Sequence, residues 1–171
     1  MTSNDGKLQR SIVCGLDGSE EARVALRVAA WLAGELGLRL LVAHVVQPQA
    51  TATGLGPTTN QLASLPLDDL RAGGEALVER ILDEAQLAGT ERRVVVGFTA
   101  DRLADLADDE GAELIVVGSR GRRGFKAAWL GSVSADVIGV ARCPVVVVPP
   151  GVAPGGEGPI FATGYELGAS A

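Results

Sequence analysis

The residues with the clearest chemical potential lie in one loop. Gly118-Ser119-Arg120-Gly121 is followed by nine residues and then by Gly131-Ser132, where a helical pattern starts. Glycines let backbone N–H groups approach an anion closely, and the free N–H groups and dipole of a helix N-terminus favour phosphate. Arg120, Arg122, Arg123 and Lys126 add positive charge. The spacing is not that of a Walker A loop, because Lys126 is followed by alanine and has no glycine directly before it, and it is not Gly-x-Gly-x-x-Gly. The competing reading is a turn that carries solvated arginines.

A second group is Asp17, which closes the first apolar run inside Leu16-Asp17-Gly18-Ser19. A carboxylate at a strand end can bind a ribose hydroxyl or help hold magnesium beside phosphates. It can equally do no more than bond its own turn ahead of a helix. His44 is the single histidine, so no relay or paired metal ligand can be built from it, and a structural role is the better expectation. Cys14 lies in a strand and Cys143 precedes Pro144. Both read as small buried hydrophobes, since neither has a sequence neighbour that would make a paired nucleophile. The acidic run Asp105, Asp108, Asp109 and Glu110 reads as a solvated helix face.

The elements that must position these groups alternate. Residues 11–17 form a strand, and the chain after Ser19 repeats Ala22, Ala25, Leu26, Ala29, Leu32, Ala33 and Leu36 at helical spacing, with Ser19 as N-cap and Gly37 as the stop. Residues 38–46 are a strand apolar on both faces, as a central strand covered on both sides would be. Residues 47–65 have no period and read as a long loop. A helix from Pro66 carries Leu70, Leu77, Ile81 and Ala85 on one face and fades at Gly89. Then follow a strand over 92–98, a short helix over 101–111, a strand over 112–118, a helix over 132–142 that Ser132 can cap, and a last strand over 143–150. Strands alternating with helices across residues 11–149 predict an α/β domain, a parallel sheet with helices on both faces. Residues 1–10 read as an N-terminal arm, and 150–171, dense in Gly and Pro, as a tail outside the domain.

Composition bounds the function. The 171 residues are 47% hydrophobic and 21% charged, enough core material for one domain that folds alone. Net charge is −6, with no basic tract to track a phosphate backbone, so nucleic acid is a poor partner. Charged residues interrupt every apolar run, which argues against a membrane span, and the first ten residues lack an apolar leader, so a cytoplasmic location is expected. Two cysteines and one histidine exclude a structural zinc site.

Together these residues resemble the universal stress protein family. The resemblance is carried by Leu16-Asp17-Gly18-Ser19, by Val42-Ala43-His44-Val45, by Val116-Val117-Gly118-Ser119-Arg120-Gly121 and by Arg142-Cys143-Pro144 with the valines after it, and it spans residues 11–149. The spacing Gly-x2-Gly-x9-Gly-Ser/Thr marks the ATP-binding branch of that family, and Gly118, Gly121, Gly131 and Ser132 fit every fixed position. The resemblance implies an open five-stranded sheet of order 3-2-1-4-5. It also implies that these four residues cradle the phosphates of ATP or another adenine nucleotide, that Asp17 sits by ribose, phosphates and any magnesium, and that the main chain of Val45 bonds adenine. The loop over 47–65 and the tail lie outside what it covers.

Three functions follow as alternatives. The first is a nucleotide-dependent sensor or switch in a stress response. The second is a slow ATP hydrolase or phosphotransferase using the same pocket, for which Asp17 and the arginines can be nominated but no clear base. The third is a dimerisation scaffold whose pocket is vestigial. A receiver-type phosphoacceptor fails, because the first strand is followed by one acid and the third ends in Gly97-Phe98-Thr99. The run Val145 to Val148 between prolines would lie at a sheet edge in the implied order, which predicts a homodimer paired through strand five.

Overall fold

A computed structural model describes residues 10–47, 67–120 and 130–153. Gly121, the basic residues 122, 123 and 126, most of the loop over 47–65 and most of the arm and tail lie outside those residues.

Among the described residues nine elements alternate as expected: β1 (Ser11–Gly15), α1 (Glu20–Leu36), β2 (Arg39–Val46), α2 (Leu67–Glu84), β3 (Glu91–Val96), α3 (Thr99–Asp109), β4 (Ala112–Gly118), α4 (Ser132–Val140) and β5 (Val145–Val148). All strand pairs are parallel, and the order is β3-β2-β1-β4-β5. The sheet order implied by the resemblance is therefore the one observed. In a parallel sheet each return needs a crossover, and the helices that make those crossovers cover the two faces.

Alternation along the strands sorts the core into two layers. Ile12, Cys14, Leu16, Val42 and Val116 turn to one face, where they meet Ala22, Ala25 and Ala29 of α1 and Val78, Ile81 and Leu82 of α2. Val13, Leu41, Ala43, Ile115 and Val117 turn to the other and meet Leu103 and Ala107 of α3 and Val137 of α4.

The caps of α1 are those read from the sequence. Ser19 is extended and its Oγ accepts from the Ala22 N–H at 3.2 Å, Glu20 and Glu21 occupy the first turn, and Gly37 ends the helix in the left-handed region at φ 63°. Several boundaries differ, β3 ending at Val96 and β5 spanning only Val145–Val148 among them. β1 stops at Gly15 rather than residue 17, because Leu16 is the last residue whose N–H meets β2, at Ala43 O, 2.8 Å away. α3 starts at Thr99, earlier than expected. At α4, Gly131 is the N-cap and Ser132 the first helical residue, with no side-chain cap bond, so Ser132 does not cap the helix. The hydroxyl that works there is Ser134 Oγ, which donates within reach of Gly131 O at 3.0 Å and Ser119 O at 3.2 Å.

Candidate functional site

The carboxyl ends of β1, β2 and β4 meet at one edge of the sheet, the place where open α/β sheets bind ligands. At β1 the chain leaves through Leu16, Asp17 and Gly18. Asp17 Oδ1 accepts from both the Ser19 N–H at 2.9 Å and the Ser19 hydroxyl at 2.6 Å, a tight Asx turn that fixes the carboxylate at the mouth of the crevice. Gly18 has φ 85°, a conformation that suits glycine, and a Cβ there would lie 3.4 Å from Leu77 of α2.

At β2 the ladder fixes where Val45 points. In a parallel pair, the N–H and C=O of one residue face the same neighbour, and successive residues alternate. Ala43 O accepts from Leu16 on the β1 side, and Val46 O accepts from Gly97 on the β3 side. The main chain of Val45 therefore faces the β1 side, beyond Gly15 where β1 has ended. Its side chain packs with the α3/α4 layer.

At β4 the two described glycines of the loop are tightly enclosed by protein. A Cβ on Gly118 would lie 2.9 Å from the Glu21 carbonyl carbon and 3.1 Å from the Ala22 nitrogen, so α1 begins directly against this residue. A Cβ on Gly131 would lie 3.2 Å from Ser119 O, whose oxygen already accepts the Gly131 N–H at 2.7 Å. These glycines let β4, α1 and α4 converge. Two donors the sequence did not single out in this way stand beside them: Ser119 Oγ and Arg120 Nε are buried without a hydrogen-bond partner. Ser119 as a whole is 5% exposed.

Protein-family comparison matches residues 9–149 to the universal stress protein family. The chain belongs to that family. Among universal stress proteins, YxiE of Bacillus subtilis is 30% identical over 143 residues, covering 80% of this chain and 97% of that one. Rv1636 of Mycobacterium tuberculosis is 32% identical over 149 residues, covering 81% and 95%. Among solved structures, a universal stress protein in complex with cAMP is 29% identical with a TM-score of 0.56, covering 82% of this chain and 96% of that one. The universal stress protein UspA from Lactobacillus plantarum, 22% identical over 82% of this chain and 97% of its own, shares the fold with a TM-score of 0.66.

The structure thus brings Asp17, Val45, Gly118, Gly131 and Ser132 to the same sheet edge. The cysteines take no part in it. Burial pushes the Cys14 thiol up to about 12, and burial together with the charge of Asp108 raises that of Cys143. Among the described residues no group of acids, histidines or cysteines is arranged to hold a metal ion by itself, and no helix is long and apolar enough to cross a membrane. A separate groove of about 470 Å³ lies between the start of α3 and the length of α4, lined by Gln47, Phe98, Thr99, Asp101, Val133 and Asp136 among others. It shares no residue with the crevice.

Proposed function

We propose that this universal stress protein binds an adenine nucleotide, ATP foremost, in the crevice at the carboxyl ends of β1, β2 and β4, and acts as a nucleotide-dependent switch in a stress response. The observation that carries the reading is the pair of buried donors with no partner, Ser119 Oγ and Arg120 Nε, where β4 meets the start of α4. Buried polar groups are normally satisfied, and an anion at this helix N-terminus would satisfy them. The Val45 main chain offers one donor and one acceptor to an adenine edge, and Asp17 stands where ribose and phosphates would pass. Gly118, Gly131 and Ser132, with Gly121 outside the described residues, form the phosphate loop. The relative solved with cAMP supports an adenine ligand. Magnesium would arrive with the phosphates: one carboxylate, Asp17, and neighbouring hydroxyls suit an ion that keeps most of its shell from water and nucleotide.

The test is the mass of the nucleotide released on denaturing freshly purified protein, together with calorimetric titration of the parent and of Gly131→Val. A Val side chain at 131 meets the backbone of Ser119 and blocks approach to phosphate, so at least a tenfold loss of ATP affinity is expected. Equal affinity in the two proteins overturns the loop assignment. Asp17 is the one candidate base that the sequence offers, and no Walker-type lysine accompanies it, so turnover should fall well below the roughly 1 to 100 per second of kinases. Hydrolysis in that range, lost in Asp17→Asn, would replace the switch by an enzyme. The switch works as a homodimer paired through β5.

A further inference from the structure

His44 ends the pairing of β1 and β2, and it does so at the residue whose main chain the nucleotide needs. Its Nδ1 lies 2.7 Å from Leu16 O, a group that can only accept, so Nδ1 carries the proton and donates it. In a continued parallel ladder that carbonyl would take the N–H of Val45, two residues after Ala43, which already holds the Leu16 N–H. The β1–β2 pairing instead stops at Gly15 and Ala43, and no backbone bond joins Val45 to Leu16. The imidazole is held in this role by α2, since a Cβ on Gly74 would be 3.0 Å from His44 Cδ2 and 2.8 Å from Val94 Cγ1. His44 is 9% exposed, and its neighbours along the strand face, Val42 and Val46, are apolar.

We infer that His44 is a positioning residue of the nucleotide crevice: by taking the Leu16 carbonyl with its own side chain, it parts the ends of β1 and β2, leaves the Val45 main chain open to the adenine edge, and anchors the turn that carries Asp17. The inference rests on the adenine reading of the crevice for its consequence, though not for its geometry. The same carbonyl precedes Asp17 directly, and Asp17 Oδ1 is tied through Ser19 to the first turn of α1. One side chain thus sets both the base end and the sugar-phosphate end of the crevice.

Two substitutions separate the role from simple packing. Asparagine places an amide N–H close to the position of Nδ1, while leucine fills the space without a donor. ATP titrated into His44→Leu should bind about tenfold more weakly than into the parent, the effect of one lost hydrogen bond, while His44→Asn stays within about threefold. Asn and Leu variants that bind equally poorly, or a Leu variant that binds like the parent, overturn the inference. A second readout needs no nucleotide. Nitrogen NMR of the parent should find the imidazole proton on Nδ1, and the Val45 amide should exchange rapidly in the parent and slowly in His44→Leu, where Leu16 O is released to it. A bare Nδ1, or equal exchange in the two proteins, overturns the inference whether or not any nucleotide binds. If the parent binds no adenine nucleotide, the proposed function fails and the exchange data alone decide the role of His44.

Discussion

At the amino ends of the strands, Arg39 reaches from β2 to Glu91 on β3 and, at 2.7 Å, to Glu110 after α3, and Arg93 joins the same two acids. Arg10 pairs with Glu113, and Ser11 Oγ donates to Glu110 O at 3.2 Å. The carboxyl ends differ: β1 stops short of β2, Val45 turns its main chain past the end of β1, and Ser119 Oγ and Arg120 Nε are buried without partners. One end is stitched by ion pairs that the chain itself supplies, with Arg39 Nε as its one buried donor without a partner among the described residues, and the other leaves both Ser119 Oγ and Arg120 Nε over. The same parallel ladders run between them, so the difference lies in what the connecting turns carry. Charges that meet across β2, β3 and α3 lock one end, while at the other Gly118 and Gly131 let α1 and α4 come close, with no room for a side chain at those two positions.

The largest effect expected is at Gly118. Gly118→Val drives a side chain into the backbone of Glu21 and Ala22 and should cost about 3 kcal/mol or abolish folding, read from the urea midpoint. A variant as stable as the parent would mean that α1 can retreat and that the close convergence is not required.

Breaking the stitched end should leave the crevice untouched. Arg39→Met removes the group shared by Glu91 and Glu110 and should cost about 2 kcal/mol at neutral pH with ATP affinity unchanged. Partial burial pulls the Glu91 carboxyl upward, but hydrogen bonds and charge from Arg39 and then Arg93 outweigh it and hold it below the usual carboxylate range. A depressed folded value means that the stabilisation is present above the unfolded value and lost as pH falls through the folded one. The penalty of Arg39→Met should therefore shrink in denaturation curves taken at strongly acid pH. A penalty of constant size would assign the contribution of Arg39 to packing.

Ser19→Ala should cost about 1 kcal/mol as a lost N-cap, and it should also weaken ATP binding because Ser19 holds the Asp17 carboxylate. Lost stability with full affinity would separate the cap from the crevice.

At the sheet edge, the carbonyls of Pro144 and Val148 meet β4, so by alternation Val146 also faces β4, while Val145 and Val147 turn their main chains outward. Val147→Pro should convert a dimer to a monomer in light scattering with little loss of monomer stability, whereas Val146→Pro should damage the β4–β5 pairing itself. A monomeric parent removes the dimer.

The smallest effect concerns Cys14. With its thiol pushed up to about 12 by burial, an alkylating agent at mildly alkaline pH should modify the partly exposed Cys143 and leave Cys14 until the protein unfolds. A raised folded value places any loss of stability from this group above the unfolded thiol value, not at neutral pH. Early labelling of Cys14 would reveal opening of β1.

What the amino-acid order determined by itself is local. Apolar periods fixed which segments are strands and which are helices, Ser19 and Gly37 marked the ends of α1 through capping chemistry, and the glycine spacing marked the loop after β4. These signals were legible because each depends on residues within a turn or two of one another. The end of β1 differs from the reading because Leu16 and Asp17 continue the apolar pattern, while beyond Gly15 the carbonyl of Leu16 meets the side chain of His44 rather than the main chain of β2. Only the tertiary structure decided that His44, distant in sequence, donates to Leu16, that Gly118 faces the first turn of α1, and that Ser134 rather than Ser132 bonds at the start of α4. Strand register chooses those partners, and register is set by packing across the whole sheet, so a buried polar atom's partner cannot be read from the residues beside it.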